Sequence, residues 1–225
     1  MADARSTPLE QLGILAHQQV EVAPGLTHHE LFTLHGLLTV LWHGDPEAPG
    51  VVLCMGGAMG GLLGPAHGLY HELGVALGEQ GIQTLRLGYR KPNDLPRCVH
   101  DAAAIAELAC RGGGRQVVVL GHSFGGAVAI QLAAALPEVV SGVVTFATQS
   151  AGCEGAGQIP AELPLLLFHG DRDELLPADC SFIVREIAGH GEVVLLPGAG
   201  HLLADEGPRL LDRLLDWLPP VLLPK

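Results

Sequence analysis

The sequence predicts an α/β fold with a mainly parallel central sheet, and three observations carry that reading. Short apolar runs with strand character alternate with helix-like stretches from residue 51 onward. Gly-rich turns separate them, and an antiparallel-looking pair of strands comes first. The length of 225 residues favours one larger α/β domain, 1–225, and is enough to bury a substantial interior.

In chain order, Leu31–Leu34 and Leu37–Trp42 read as short strands joined at Gly36. The runs VVLCM (51–55), QTLRL (83–87), QVVVL (116–120), SGVVTF (141–146), PLLLF (164–168) and EVVLL (192–196) read as buried strands. Helical character lies between or after them at 66–77, 100–110, 124–136, 179–188 and 206–218, followed by a Pro-rich tail, LPPVLLPK. Such alternation implies βαβ units and helices on both faces of the sheet. The interval ATQSAGCEGAGQIPAEL is rich in Gly and poor in helix formers. It is long enough for a parallel crossover but leaves no room for a cap domain.

Composition removes several classes of function. An apolar fraction of 48% with 16% charged residues excludes a disordered chain. Twelve Lys plus Arg against 24 Asp plus Glu give a net charge of −12, which repels nucleic acid and anionic lipid surfaces. Cys54, Cys98, Cys110, Cys153 and Cys180 are scattered without a CxxC pair, as free thiols in a reducing compartment would be. No apolar run approaches the length of a membrane span, and the N-terminal residues, with Asp3 and Glu10, lack a signal-peptide core, so a cytoplasmic location is expected. No HExxH or spaced Cys/His cluster points to a metal.

Chemistry concentrates in three places. After QVVVL comes GHSFGG, in which Gly121, Ser123 and Gly125 form GxSxG between a strand and a helix. The turn holds its serine in a strained conformation, where a Cβ at either flanking glycine would strike neighbouring backbone. A serine hydroxyl needs a base to become a nucleophile, and the base needs an orienting carboxylate. PLLLF runs into HGDRDELLP, offering Asp171 and Asp173, and EVVLL runs into PGAGHLL, offering His201. The order along the chain is Ser, Asp, His.

These motifs make the chain resemble an α/β-hydrolase from about residue 28 to residue 218. GHSFGG resembles the nucleophile elbow, HGDRDELLP the acid loop HGxxDxxxP, and GAGH the loop of the catalytic histidine. The resemblance implies Ser123 as nucleophile, His201 as general base and then acid, and Asp173 as the carboxylate, with Asp171 its competitor and a candidate for shaping the turn. It also implies an oxyanion hole from the Phe124 amide and one in MGGAMGG, for which Gly57 is the choice and Gly56 or Ala58 the alternatives. Met55 stands where the family often has His, which removes that side chain's bracing of the loop. Small lidless enzymes resembling acyl-protein thioesterases or dienelactone hydrolases are the nearest comparison; the latter usually carry Cys as nucleophile, and Ser123 departs from that.

The resemblance leads to a lidless serine hydrolase of small or exposed carboxylic esters, working without a cofactor through an acyl-enzyme. An acyl thioesterase or acyltransferase on the same triad, or a non-catalytic binding protein on this fold, are the alternatives. The partner is then a small-molecule ester or thioester. By topology Met59, Tyr89, Arg90, Thr148 and Gln149 are candidates for the substrate pocket. Arg86, Arg90, Lys91 and Arg97 fall within 12 positions, a candidate anion site.

Overall fold

The Val- and Leu-rich runs form the middle of one nine-stranded sheet in a computed structural model that describes residues 6–223. The strands are β1 (Ile14–Ala23), β2 (Leu26–Thr33), β3 (Gly36–His43), β4 (Gly50–Met55), β5 (Ile82–Gly88), β6 (Gln116–His122), β7 (Val140–Phe146), β8 (Leu165–Gly170) and β9 (Glu192–Leu196). Their spatial order is β1-β2-β3-β5-β4-β6-β7-β8-β9. β1, β2, β3 and β5 pair antiparallel in that order, and every pairing from β5 through β4 to β9 is parallel.

Among the described residues six α-helices flank the sheet: α1 (Pro8–Gln11), α2 (Leu69–Gly78), α3 (Leu95–Gly112), α4 (Phe124–Ala135), α5 (Asp179–Ala188) and α6 (Gly207–Leu222). Successive side chains of a strand point to opposite faces, so the buried strands feed two cores. Val51, Leu53, Val117 and Val119 pack with α3, α4 and Val184 of α5 on one face. Val52, Cys54, Val118 and Leu120 pack with α2 and α6 on the other. Burial on both faces explains why β4, β6 and β8 read as unbroken apolar runs rather than alternating ones.

Several boundaries differ from the sequence reading. β1 was not expected at all: each of its ten residues is exposed, so no buried stripe marks it, and the sheet begins at Ile14 rather than at the strand expected from Leu31. The helix expected from 66 starts at Leu69, because Ala66, His67 and Gly68 adopt positive φ in a tight turn tied to the Leu202 carbonyl by the Ala66 N–H at 2.8 Å. The helix expected from 100 starts at Leu95, capped by Asp94 with Pro96 in its first turn. The final helix runs on to Leu222 through Pro219 and Pro220, because Leu214, Leu218 and Leu222 continue one buried stripe. Lys225 and Pro224 of the expected tail lie outside the described residues.

Between β7 and β8 the chain makes only a short 3₁₀ turn, Glu154–Gln158, and among the described residues no cap domain covers the carboxyl ends of the strands. Among the described residues no helix is long and apolar enough to cross a membrane.

Candidate active site

The loops that follow β4, β6, β8 and β9 converge at one end of the sheet. Ser123 follows β6 with φ 56° and ψ −119°, a left-handed conformation rare for a residue with a Cβ. Its N–H is held by the Phe146 carbonyl at 2.8 Å. The flanking glycines are sterically required: a Cβ at Gly121 would overlap the Gly125 carbonyl, and one at Gly125 would stand 2.5 Å from the Gly56 and Met55 oxygens. The elbow therefore seats tightly against the end of β4.

Ser123 Oγ lies 3.0 Å from His201 Nε2, and His201 Nδ1 lies 2.8 Å from Asp173 Oδ2. The carboxylate requires the proton on Nδ1, which leaves the Nε2 lone pair to accept the serine O–H. The Asp173 carboxylate is fully buried, and its Oδ1 accepts the Leu175 and Leu176 N–H groups at 2.8 Å each. Burial alone would raise this carboxyl, but those amides and the His201 ring outweigh it and hold it below the ordinary carboxylate value. Asp171, the competing acid, accepts the Gly198 N–H at 2.6 Å and so ties the turn before His201.

Three neighbours complete the surroundings of His201. The His201 N–H donates to Glu174 Oε2 at 3.1 Å. His122 sits with its ring 5.1 Å from that of His201 and its Nε2 3.1 Å from the His201 carbonyl, so Nε2 carries the proton and donates. Burial pushes His122 down to about 4, the His201 ring adding to the effect against the pull of its carbonyl. His169 places Nε2 3.2 Å from both Asp173 Oδ2 and the Leu176 carbonyl, while its Nδ1 meets Ser181 Oγ at 2.7 Å. Two acceptors at Nε2 require the proton there, and burial keeps this ring neutral by pushing it below its ordinary value.

The loop after β4 faces Ser123. Gly57 packs beside the elbow, its Cβ position 3.7 Å from Ser123 Cβ, and Phe124 opens α4, so its N–H has no intrahelical partner. With Met55 in place of a histidine, the chain's two tyrosines brace this loop. Tyr70 Oη donates to the Met55 carbonyl at 3.0 Å and Tyr89 Oη to the Gly56 carbonyl at 3.3 Å. Burial holds both phenols protonated, well above their ordinary value.

A cavity of about 410 Å³ opens over Ser123 and His201, lined by the loop from Gly56 to Gly64 together with His122, Leu175 and Leu202. Met59 lies on it, as expected, but Tyr89, Arg90, Thr148 and Gln149 do not. Tyr89 lies behind the loop. Arg90 turns to Asp101, 2.6 Å away, with both side chains buried. Thr148 and Gln149 hydrogen-bond the Gln149 and Ala151 carbonyls, because the segment after β7 is drawn onto α4 by the Gln131 bond to the Gly152 carbonyl. Nor do the four cations form an anion site: Arg86 is buried and donates to the Leu62 carbonyl, and Lys91 and Arg97 both pair with Asp94. Sequence reasoning gave no role to His169, Tyr70, Leu175 or Leu202. Of these only His169 carried a signal, as the first residue of HGxxD.

Comparison with known proteins agrees with this fold. No curated protein matches the chain. Among solved structures it is similar to Est1E from Butyrivibrio proteoclasticus, with TM-score 0.74, 16% identity, and coverage of 86% of this chain and 98% of that one. It is similar to dienelactone hydrolase from Anabaena variabilis, with TM-score 0.67, 17% identity and coverage of 90% and 99%. An alpha-beta serine hydrolase homologue from Coxiella burnetii gives TM-score 0.64, 18% identity and coverage of 84% and 95%. These likenesses establish the α/β-hydrolase fold. The dienelactone hydrolase family profile matches residues 74–211, which is more than half of the chain and includes Ser123, Asp173 and His201. The chain shares more than the fold: it belongs to the dienelactone hydrolase family.

Proposed function

We propose that the chain is a serine hydrolase that cleaves carboxylic esters through an acyl-enzyme intermediate. The observation that carries the reading is the unbroken relay from Ser123 Oγ to His201 Nε2 at 3.0 Å and from His201 Nδ1 to Asp173 Oδ2 at 2.8 Å. Cysteine does not replace serine here: none of the five thiols lines the cavity, and burial pushes Cys98 and Cys153 up to about 12, away from thiolate character. Buried unpaired thiols also fit the reducing, cytoplasmic setting expected above.

In the first step Ser123 Oγ forms a bond to the ester carbonyl carbon while its proton passes to His201 Nε2. The charge that develops on the carbonyl oxygen is met by the Phe124 and Gly57 N–H groups, each such donor being worth about 100-fold or more in rate. The bond to the alcohol then breaks and the proton on Nε2 leaves with it. Water repeats the sequence: its proton goes to His201, its oxygen bonds the acyl carbon, and the bond to Ser123 Oγ breaks as the proton returns. Asp173 stays ionised throughout and stabilises the imidazolium.

A fluorophosphonate, which reacts with activated serines without needing the natural substrate, tests this directly. The expected adduct lies on Ser123, is located by mass spectrometry, and disappears in His201→Ala. Ser123→Ala should lower ester hydrolysis by about 1,000-fold or more. Retention of full hydrolysis in Ser123→Ala would overturn the reading. Since Est1E has been solved with ferulic acid bound, a hydroxycinnamate ester belongs in the substrate panel.

A further inference from the structure

The rim of the cavity over Ser123 is unusually apolar for an open surface. Met59, Leu63, Leu175 and Leu202 are 94%, 60%, 68% and 58% exposed, and all four line the same opening. They come from three separate loops, those after β4, β8 and β9, so their convergence is not a by-product of one apolar segment. Exposed apolar side chains gathered in this way are stabilised when an apolar surface covers them. Apart from Ser123 and His201, the rest of the lining is Gly and Ala backbone, Leu62, and the neutral His122 ring.

The electrostatics exclude one class of ligand as clearly. Among the described residues no Lys or Arg lines the cavity. Arg86 is diverted beneath the loop to the Leu62 carbonyl and Arg90 to Asp101, and Arg172, in the loop that carries Asp173, does not line the cavity. Asp173 stands behind His201, Glu174 accepts the His201 N–H at 3.1 Å, and the chain as a whole carries −12. A carboxylate on the substrate would lose water here, gain no cation and face like charge.

Resting on the reading of Ser123 as nucleophile, we propose that the site selects uncharged esters with an apolar acyl chain, which lies across Met59, Leu63, Leu175 and Leu202, and rejects acyl chains that end in a carboxylate. Selectivity then has an attractive part in the apolar rim and a repulsive part in the absent cation.

Three substrates with one leaving group test it: 4-nitrophenyl acetate, 4-nitrophenyl hexanoate, and the mono-4-nitrophenyl ester of adipic acid, which has the hexanoate chain length and a terminal carboxylate. At pH 7.5 the kcat/KM for hexanoate should exceed that for acetate by about tenfold and that for the adipate half-ester by about 100-fold. Leu63→Asp should shrink the hexanoate-to-acetate ratio, and Leu175→Lys should raise the adipate half-ester relative to hexanoate. Both positions are exposed, so a folded variant is expected, and circular dichroism checks it. Equal or faster turnover of the adipate half-ester by the parent protein overturns the proposal, as does an unchanged ratio in folded Leu63→Asp. Fluorophosphonate labelling separates the two claims. A Ser123 adduct with preference for the carboxylate sinks the specificity alone, whereas no adduct and no turnover of any ester sinks the serine mechanism beneath it.

Discussion

His169 and His201 bind the same oxygen, Oδ2 of Asp173, at 3.2 and 2.8 Å. The two rings divide the work by environment. His201 is directed at Ser123, whereas His169 is enclosed, held neutral by burial and fixed from behind by Ser181. With the two loop amides, the Asp173 carboxylate thus receives four donors and has no freedom to rotate.

Removing the His169 donor therefore has a predictable sign. In His169→Leu the carboxylate is less well satisfied and attracts a proton on the facing imidazole more strongly. The acid limb of the pH profile of kcat/KM for ester hydrolysis should move to higher pH, and His169→Gln, which can place a donor near the same oxygen, should bring it back. A profile identical to that of the parent protein in both variants would reduce His169 to a packing residue.

Acid should destabilise the fold well before its carboxylates titrate. His29, His43 and His122 are pushed from 6.5 down to about 4, in each case first by burial. An unfolded chain takes up protons at these positions as pH falls below 6.5, while the folded chain refuses them until about 4. Stability is thus full above that window and declines through it, by several kcal/mol in sum. Asp173, held below its ordinary value, adds a further loss only at still lower pH. Urea midpoints at pH 7.5 and 4.5 measure the effect, and equal midpoints contradict it.

The two tyrosines behind the loop from Met55 to Gly57 should matter to rate as well as to stability. Tyr70→Phe and Tyr89→Phe each leave a buried carbonyl without its donor, at a cost of about 1–2 kcal/mol. The loop that carries the Gly57 amide loses its fixed position, and kcat should fall by about tenfold. Thermal unfolding and ester kinetics on the same samples separate the two consequences. Normal kcat in both variants would show that the loop is held by other means.

Gly125 and Gly78 make a paired test of the packing. A Cβ at Gly125 meets the Gly56 and Met55 oxygens at 2.5 Å, so Gly125→Ala should cost more than about 4 kcal/mol or prevent folding. A Cβ at Gly78 has no neighbour nearer than 3.7 Å and sits in helix α2, so Gly78→Ala should stabilise by about 0.5–1 kcal/mol. Denaturant titrations of both decide it.

What the sequence displayed and what it hid follow from one distinction. β4, β6 and β8 are buried on both faces, and that burial is written into their composition as continuous Val and Leu. Ser123 and His201 stood out because each lies in a loop that follows a strand and in a motif of fixed spacing, and Asp173 was separable from Asp171 by its place in HGxxD. β1 was invisible because nothing covers it. Arg90, Thr148 and Gln149 were placed near the site by topology alone. Their side chains are committed instead to Asp101 and to nearby carbonyls, which no spacing rule reveals. The tyrosine braces were equally hidden, since Tyr70 reaches its partner across 15 residues and Tyr89 across 33.

The bare 3₁₀ turn between β7 and β8 sets a competition between acceptors. With no roof over Ser123, an acyl group resting there meets bulk solvent as soon as its alcohol has left. Any other alcohol or amine must then outrun water at its full concentration. In the mechanism proposed above, this exposure of Ser123, rather than any added catalytic group, would favour free acid over transfer as the fate of the acyl group.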